Sequence, residues 1–257
     1  MKVVILGAGN LATRLSHEMH RKGMRIAQVF SQTETSAKTL AKRLGAMPIT
    51  DLSAVDTDAD LYIFAVKDSI LESVLQQMNT TSGLWVHTAG SIPVELLEQY
   101  HDRCGVLYPL QSFSKTREVD FSVIPVFIEA QHAEDLKMLK KISGALTERV
   151  VELTSAKRKK LHLAAVFANN FANHMYAQAA SILEDEGLKF DYLVPLIDET
   201  ASKIHEMHPI DAQTGPAIRY DESVIEKHIQ MLTDQDSRDI YAIVSKSIHK
   251  LSQKKDE

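Results

Sequence analysis

A turn of small residues near the start of the chain has the spacing that binds the phosphates of a nucleotide. Gly7, Gly9 and Ala12 stand in the order Gly-x-Gly-x-x-Ala. The first glycine permits a tight turn, the second lets the backbone approach a pyrophosphate, and the alanine lets a helix pack close to a strand. A helix that begins here also directs free N–H groups at an anion. The spacing predicts a dinucleotide site formed by Gly7, Gly9, Asn10, Leu11 and Ala12.

The elements around this turn support the interpretation, because the motif requires a strand before it and a helix after it. Residues 2–6 are a short apolar run rich in β-branched side chains, residues 10–22 are amphipathic, and residues 25–31 form a second apolar run. This is the strand–helix–strand order of a nucleotide-binding unit. The alternative is an α/β domain whose glycine turn binds nothing.

The end of the second predicted strand favours NADP over NAD as the cofactor. An NAD site usually carries an acidic residue there to bind the ribose 2′-hydroxyl, whereas this strand ends in Phe30-Ser31-Gln32-Thr33. Ser31 and Thr33 can donate hydrogen bonds to a 2′-phosphate, and we expect both to contact it. The same two residues could instead only begin the next helix as N-caps, and both roles can hold together.

The carboxyl ends of the later strands supply further candidates, because in an open parallel sheet these ends face the ligand crevice. Val66 and Lys67 end the fourth strand and are expected beside the cofactor, although Lys67 could be an ordinary solvent-exposed lysine. His87 and Ser91 flank the turn after the next strand, and Gln111 follows the strand after that. We predict that His87 donates a proton and that Ser91 and Gln111 bind substrate. Ser91 could instead cap the helix that follows it.

A polar stripe on a long predicted helix supplies the remaining catalytic candidates. His162, Asn169 and Asn173 recur at steps of seven and four residues among many alanines, which places them on one helix face. Such a stripe either binds substrate or forms hydrogen bonds inside a helical core. Because histidine titrates nearest to neutral pH, His162 is predicted to donate a proton. Asn169 is the second catalytic candidate on this helix, and Asn173 is expected to bind substrate.

A glycine–proline turn in the C-terminal part is a further candidate substrate site. Thr214 precedes Gly215 and Pro216, and Arg219 follows them. Arginine can hold a carboxylate through two parallel hydrogen bonds, so Thr214 and Arg219 are predicted to bind substrate. The alternative is a structural turn between two helices, in which Arg219 pairs with Asp221.

The order of the predicted elements divides the chain into two domains. Residues 1–152 alternate between apolar strands and amphipathic helices, which is typical of a doubly wound, mostly parallel Rossmann-type sheet. Residues 153–257 contain only helical patterns, and the first of these has no glycine or proline between Ser155 and Gly187. At 1.5 Å per residue this helix would span roughly 48 Å, as expected of a central spine or a subunit contact. We therefore predict the α/β class, with a nucleotide-binding domain followed by an all-helical substrate and dimerisation domain.

Composition excludes several classes of function. The 257 residues carry a net charge of −5 and 44% hydrophobic side chains, without the long basic run of a nucleic-acid-binding protein. No apolar run approaches the roughly 20 residues that span a bilayer, and the chain begins with a strand instead of a secretory signal. The single cysteine, Cys104, precludes an internal disulfide or a cysteine-rich metal site. We expect a cytoplasmic protein without metal, nucleic-acid partner or membrane contact.

The chain resembles the bacterial family of NADP oxidoreductases in which a Rossmann domain is joined to a helical domain of unknown function. That family is related to pyrroline-5-carboxylate reductase, deazaflavin-dependent NADP reductases and 3-hydroxyacid dehydrogenases. The resemblance covers essentially the whole chain, and its most specific segments are residues 7–12, 87–91, 108–113, 161–170 and 214–219. It implies NADP binding by the N-terminal domain and a homodimer formed through the helical domain. It does not supply a substrate.

One departure from the related dehydrogenases bears on the reaction. The 3-hydroxyacid dehydrogenases carry a catalytic lysine three residues before a pair of asparagines, whereas here Val166 precedes Asn169 and Asn170 at that spacing. His162, one turn earlier, is the residue that could replace the lysine. Two hypotheses follow. The first is an NADP-dependent oxidoreductase that transfers a hydride between nicotinamide and a small carbonyl or imine substrate in the cleft between the domains. The second is a non-catalytic NADP-binding sensor or scaffold.

Overall fold

The computed structural model describes residues 1–253 and divides the chain into two compact units. The first comprises Met1–Asn169, and the second begins at Asn170. The division falls within the long helix, because the first turns of that helix pack with the first unit. The predicted domains, 1–152 and 153–257, divide the chain by element type instead, at the end of the last strand.

The first unit is built on one eight-stranded sheet. Its strands are β1 (Lys2–Leu6), β2 (Arg25–Phe30), β3 (Met47–Ile49), β4 (Leu61–Phe64), β5 (Leu84–His87), β6 (Cys104–Pro109), β7 (Val126–Ala130) and β8 (Val150–Glu152). They lie in the order β3-β2-β1-β4-β5-β6-β7-β8. Neighbouring strands are parallel except β6 and β7, which are antiparallel. The strand order reverses between β1 and β4, and such a reversal is where open α/β sheets bind ligands.

Helices cover both faces of this sheet. They are α1 (Asn10–Arg21), α2 (Glu34–Leu44), α3 (Asp68–Leu75), α4 (Glu95–Glu98), α5 (Ala133–Leu146) and α6 (Ser155–Ala165). Because successive strand residues point to opposite faces, Val3 and Ile5 of β1 join one apolar cluster and Val4 and Leu6 join the other. All four are buried, as expected of a strand covered on both faces.

The second unit contains only helices among its described residues. After a π-helical segment, Val166–Phe171, the long helix continues as α7 (Ala172–Asp185). It is followed by α8 (Val194–Lys203), α9 (Pro209–Ala212), α10 (Pro216–Arg219), α11 (Glu222–Met231) and α12 (Gln235–Gln253). The prediction of a doubly wound, mostly parallel sheet followed by a helical region is confirmed.

The second unit buries little of its own apolar surface. Only Ala217, Ile225 and Ser245 are buried among its described residues. Large apolar side chains are exposed in its helices and in the turns between them, at Tyr176, Ile182, Leu188, Tyr192, Val194, Leu196, Ile204, Met207, Ile210, Met231, Ile243, Val244 and Leu251. None of the helices in residues 1–253 is long and apolar enough to cross a membrane.

Candidate functional site

A cleft of about 760 Å³ opens in the first unit at the carboxyl ends of the central strands. It is lined by residues 7–11, 30–33, 36, 65–70, 88–90, 108 and 162. These residues follow or end β1, β2, β4, β5 and β6, apart from His162, which lies on α6. The cleft therefore lies at the edge where the sheet topology predicts a ligand.

Gly7 is required by the fold itself. Its φ is +127°, and a Cβ at this position would lie 2.2 Å from the carbonyl oxygen of Ala65. Its N–H donates to the carbonyl of Phe30 at 2.8 Å. Gly7 thus closes the end of β1 against both neighbouring strands, as the tight turn of the motif requires.

Gly9 has no such structural reason to be glycine. Its φ is −76°, which any residue adopts, and a Cβ would meet nothing within 4 Å. Helix α1 begins at the next residue, Asn10, without a side-chain cap. The backbone N–H groups at the start of α1 have no side-chain cap and lie beside open space, which is the arrangement that binds a phosphate. Gly9 and Asn10 therefore fit the nucleotide that the sequence predicts. Ala12 is buried in the cluster that contains Val3 and Ile5.

Hydroxyl groups line the end of the cleft next to β2. Ser31, Thr33 and Ser36 all lie on its surface. Thr33 occupies the N-cap position of α2, but its hydroxyl donates to Ser36 Oγ at 2.8 Å instead of capping the helix. The nearest acidic residue, Glu34, pairs with Lys38 at 2.6 Å. This end of the cleft therefore offers hydroxyls and no carboxylate. Ser36 was not predicted, because helical spacing places it one turn past the strand.

His162 and Tyr108 form a hydrogen-bonded pair in the same cleft. The Tyr108 hydroxyl lies 3.0 Å from His162 Nδ1, and the rings meet edge to face. Burial raises the pKa of Tyr108, so its hydroxyl is protonated at neutral pH. Gly90 makes room for the imidazole, because a Cβ there would lie 2.5 Å from His162 Nδ1. Tyr108 thus occupies one ring nitrogen and leaves Nε2 to exchange a proton.

A buried polar network lies one turn earlier on α6. Arg158 has no exposed surface. Its guanidinium pairs with Glu129 and donates to the carbonyl of Ile92 at 2.6 Å. The Ser155 hydroxyl donates to Glu129 at 2.7 Å and accepts from the N–H of Val94 at 2.9 Å. The network joins β7, the segment after β5 and the start of α6.

Two family models match most of the chain. Residues 2–86 match the family model described as NADP oxidoreductase, coenzyme F420-dependent, and residues 124–248 match a domain of unknown function, DUF2520. A putative NADP oxidoreductase from Bacteroides fragilis is 51% identical over 97% of this chain and 98% of its own, with a TM-score of 0.91. The chain belongs to this family of NADP oxidoreductases. The family resemblance predicted from the sequence is confirmed.

More distant structures share the fold. A protein from Thermotoga maritima is 21% identical with a TM-score of 0.81, covering 98% of this chain and 99% of its own. An imine reductase from Myxococcus stipitatus, in complex with NADP⁺, is 14% identical with a TM-score of 0.69, covering 99% and 93%. No curated protein matches the chain.

His87 has different surroundings from those expected of a proton donor. It has no exposed surface, is not among the residues lining the cleft, and its Nδ1 accepts from the N–H of Ala89 at 3.1 Å. Burial lowers its pKa to about 3, with the positive charge of Arg158 as the second cause. A neutral, enclosed imidazole does not suit proton donation to a substrate, so the surroundings of His87 favour a structural role over the predicted catalytic one.

Of the four loop residues predicted to contact cofactor or substrate, two line the cleft and two do not. Val66 and Lys67 line the cleft, Lys67 in the N-cap position of α3. Ser91 does not line it. Its hydroxyl donates to the carboxylate of Asp68, which ties the loops after β4 and β5 together. Gln111 is exposed and accepts from the N–H of Ser112 at 2.8 Å.

The predicted site residues around and beyond the π-helical segment stay predictions. Asn169, in that segment, and Asn173, in α7, are both exposed. Thr214 lies on a mostly apolar groove of about 300 Å³ in the second unit, and Arg219 ends α10. Asp221 caps α11 by accepting from the N–H of Val224 at 3.4 Å. Within residues 1–253 there is no group of three or more metal-ligating side chains that could hold an ion.

Three residues at or next to the His162 end of the cleft were not among the predicted site residues. Tyr108 is the penultimate residue of β6. The rule that strand ends face the crevice covers the segment 108–113, but Gln111 was the residue of that segment predicted to bind substrate. Gly90 and Arg158 gave no such signal. Gly90 makes room for a ring that is distant in sequence. Arg158 is buried by contacts with residues 29 and 66 positions away. Both roles depend on the tertiary fold.

Proposed function

We propose that the protein transfers a hydride between NADP and a small carbonyl or imine substrate. The observation that carries this proposal is the shared cleft: the open space at Gly9 and the His162–Tyr108 pair line the same cavity. Membership of the NADP oxidoreductase family supports it. When bound, the nicotinamide supplies or accepts the hydride, and the protein orients the reactants and handles the proton.

The phosphate end of the cofactor would be held by the start of α1. The N–H groups of Asn10 and Leu11 are the donors offered to the pyrophosphate, with Gly9 leaving space for its approach. Ser31 and Thr33 would bind the 2′-phosphate, and the position of Ser36 supports its inclusion. Val66 and Lys67 would flank the cofactor from the next loop.

His162 would supply the proton that accompanies the hydride. Reduction of a C=O or C=N bond adds a hydride to carbon and a proton to oxygen or nitrogen. His162 Nε2 can deliver that proton and regain one from solvent, while the Tyr108 hydroxyl holds Nδ1. In the reverse direction the same nitrogen accepts the proton.

Two substitutions test the two halves of this proposal. Gly9→Asp places a carboxylate in space the fold leaves open, so stability should hold while NADPH binding falls below detection. His162→Asn should keep NADPH affinity and abolish turnover of aldehydes, keto acids and cyclic imines. Gly144→Asp is the matched control, because Gly144 is also open but lies on α5, away from the cleft. Calorimetric titration and absorbance at the NADPH band give the readouts. Wild-type protein that binds neither NADPH nor NADH would refute the proposal.

A non-catalytic NADP sensor or scaffold is the second candidate. It is favoured by Val166, which stands at the position of the catalytic lysine in related dehydrogenases and begins the π-helical segment. This candidate expects tight NADPH binding with no turnover across the same panel. Turnover that His162→Asn removes would exclude it.

We also infer a homodimer formed through the helical second unit. The large apolar side chains exposed on that unit support a covering partner, and a second copy is the partner implied by the family resemblance. A cytoplasmic location, and substrate binding in a cleft between the domains, stay predictions from the sequence.

A further inference from the structure

Two sets of contacts join the same two pieces of chain, the segment after β5 and helix α6. In the first, the His162 ring packs on Gly90, where a Cβ would lie 2.5 Å from Nδ1. In the second, Arg158 donates to the carbonyl of Ile92 at 2.6 Å. Ile92 lies two residues after Gly90, and Arg158 lies four residues before His162. The hydrogen bond from Arg158 to Ile92 therefore holds together the two segments that carry Gly90 and His162.

Glu129, on strand β7, also binds the start of α6. One carboxylate oxygen accepts from the N–H of Ser155 at 2.8 Å, and the other accepts from the Ser155 hydroxyl and from Arg158. Thr154, in the N-cap position, makes no side-chain cap, so Glu129 takes over that function. A planar guanidinium held by several acceptors in fixed directions has little freedom to move.

We propose that Arg158, Glu129 and Ser155 form a positioning unit that holds the His162 imidazole in one orientation against Gly90 and Tyr108. The inference rests on the proposed function, in which His162 exchanges a proton with substrate. Buried ion pairs are not needed for stability alone, because apolar groups of similar volume often serve as well. A charged network in this place instead fixes the geometry of the segments that it joins.

The ring nitrogens of His162 report this orientation directly. In ¹⁵N-labelled protein at pH 8, without NADPH, a ring held as one tautomer shows two well-separated nitrogen shifts. A ring that exchanges between tautomers shows shifts that converge. The signals are assigned by their loss in His162→Asn. Ser155→Ala removes the shared hydroxyl, and Arg158→Lys keeps the charge but loses the planar fork. Both should reduce the separation to about half or less of the wild-type value.

Matched variants separate positioning from general damage. Ser143→Ala also removes a buried serine hydroxyl from the first unit, and Arg103→Lys also alters an ion pair to a buried carboxylate, that of Asp135. Both should keep the wild-type separation. Gly90→Ala displaces the ring without touching the network and should reproduce the convergence. Spectra are recorded well below the melting temperature of each variant, and Ser155→Ala alone decides the result if Arg158→Lys does not fold.

Wild-type ring shifts in folded Ser155→Ala would overturn the inference, because the network would then only stabilise the fold. NADPH titration keeps this result apart from the proposed function. Ser155→Ala and Arg158→Lys, like their controls Ser143→Ala and Arg103→Lys, should bind NADPH within about twofold of wild type, since none of these four residues lines the cleft. Wild-type protein that does not bind NADPH would refute the proposed function and leave the ring measurement standing.

Discussion

The two units of this chain differ in how completely they cover their own apolar side chains. In the first, the four residues of β4 and the four of β5 are all buried, and apolar clusters lie on both faces of the sheet. In the second, Leu196, Met231 and Ile243 are 64%, 78% and 69% exposed. The sheet unit therefore covers its own apolar core, whereas the helical unit leaves large apolar side chains exposed, as expected if the proposed homodimer covers them.

From this difference we infer that the sheet unit holds the cleft and the helical unit forms the subunit contact. Burial stabilises a protein by roughly 25 cal/mol per Å² of apolar surface, so a unit that leaves large side chains in water gains little from folding alone. The sheet unit can hold a preorganised cleft because its core is complete. In the proposed homodimer the apolar surface of the helical unit forms the contact, so changes in each unit should have different consequences.

The largest effect is expected at the turn that closes the sheet unit. Gly7→Ala forces a residue with a Cβ into φ +127° and against the carbonyl of Ala65. The free energy of unfolding should fall by about 4 kcal/mol or more. Gly144→Ala is the control, since Gly144 is open and lies within α5. It should stabilise the protein by roughly 0.5–1 kcal/mol. Urea denaturation measures both, and a loss in Gly7→Ala no larger than about 1 kcal/mol would contradict this account of the turn.

The next effect tests the exposed surface of the helical unit. Ile182 and Val244 are 48% and 42% exposed and line the apolar groove of that unit. Ile182→Asp or Val244→Asp should convert a dimer into monomer at micromolar concentration, because a carboxylate in an apolar interface must be desolvated. Light scattering after gel filtration gives the mass.

Met47→Asp provides the comparison within the sheet unit. Met47 is 60% exposed, on the edge strand β3, and its replacement should leave the mass unchanged. A wild-type protein that is monomeric at all concentrations would refute the proposed dimer. Dissociation by Met47→Asp, but not by the helical variants, would place the interface on the sheet unit.

The smallest effect concerns acid sensitivity, which His87 should confer on the sheet unit. Its pKa is lowered to about 3 in the folded state from a usual value of 6.5, so the unfolded chain binds one more proton between these limits. The free energy of unfolding should therefore decrease as pH falls below 6.5, by up to about 1.4 kcal/mol per pH unit.

His87→Asn should make this slope shallower, because asparagine does not titrate. Urea denaturation of both proteins between pH 8 and pH 4.5 gives the slopes. Burial also lowers the pKa of His17, and that contribution is present in both proteins. Equal slopes would show that folding does not lower the pKa of His87.

Much of the fold could be predicted, because its signals are local. Continuous apolar runs indicated strands buried on both faces, and the uninterrupted helical pattern after Ser155 indicated the long helix. The π-helical segment Val166–Phe171 could not be predicted, since its residues read as ordinary helix. The division of the structure at Asn169 was equally hidden, because it depends on which side chains of α6 pack against the sheet.

The candidate site divides in the same way. The glycine turn and the hydroxyls of Ser31 and Thr33 could be selected from sequence because each lies within one short segment, and all of them line the cleft. His162 was chosen by its residue type and helical spacing, whereas His87 was chosen by the same chemistry and is enclosed by the core. Burial, which separates these two histidines, arises from contacts between distant segments.

The glycine turn could be recognised from sequence alone, since its Gly-x-Gly-x-x-Ala spacing and the strand and helix beside it lie within a few positions of one another. The sequence also determined the order of strands and helices, through hydrophobic periodicity. Which histidine reaches the cleft depends on tertiary contacts, because Tyr108 from β6 and Gly90 from the segment after β5 meet His162 of α6. Helices and strands depend on residue patterns within short segments, whereas the surroundings of each reactive side chain depend on packing between distant segments.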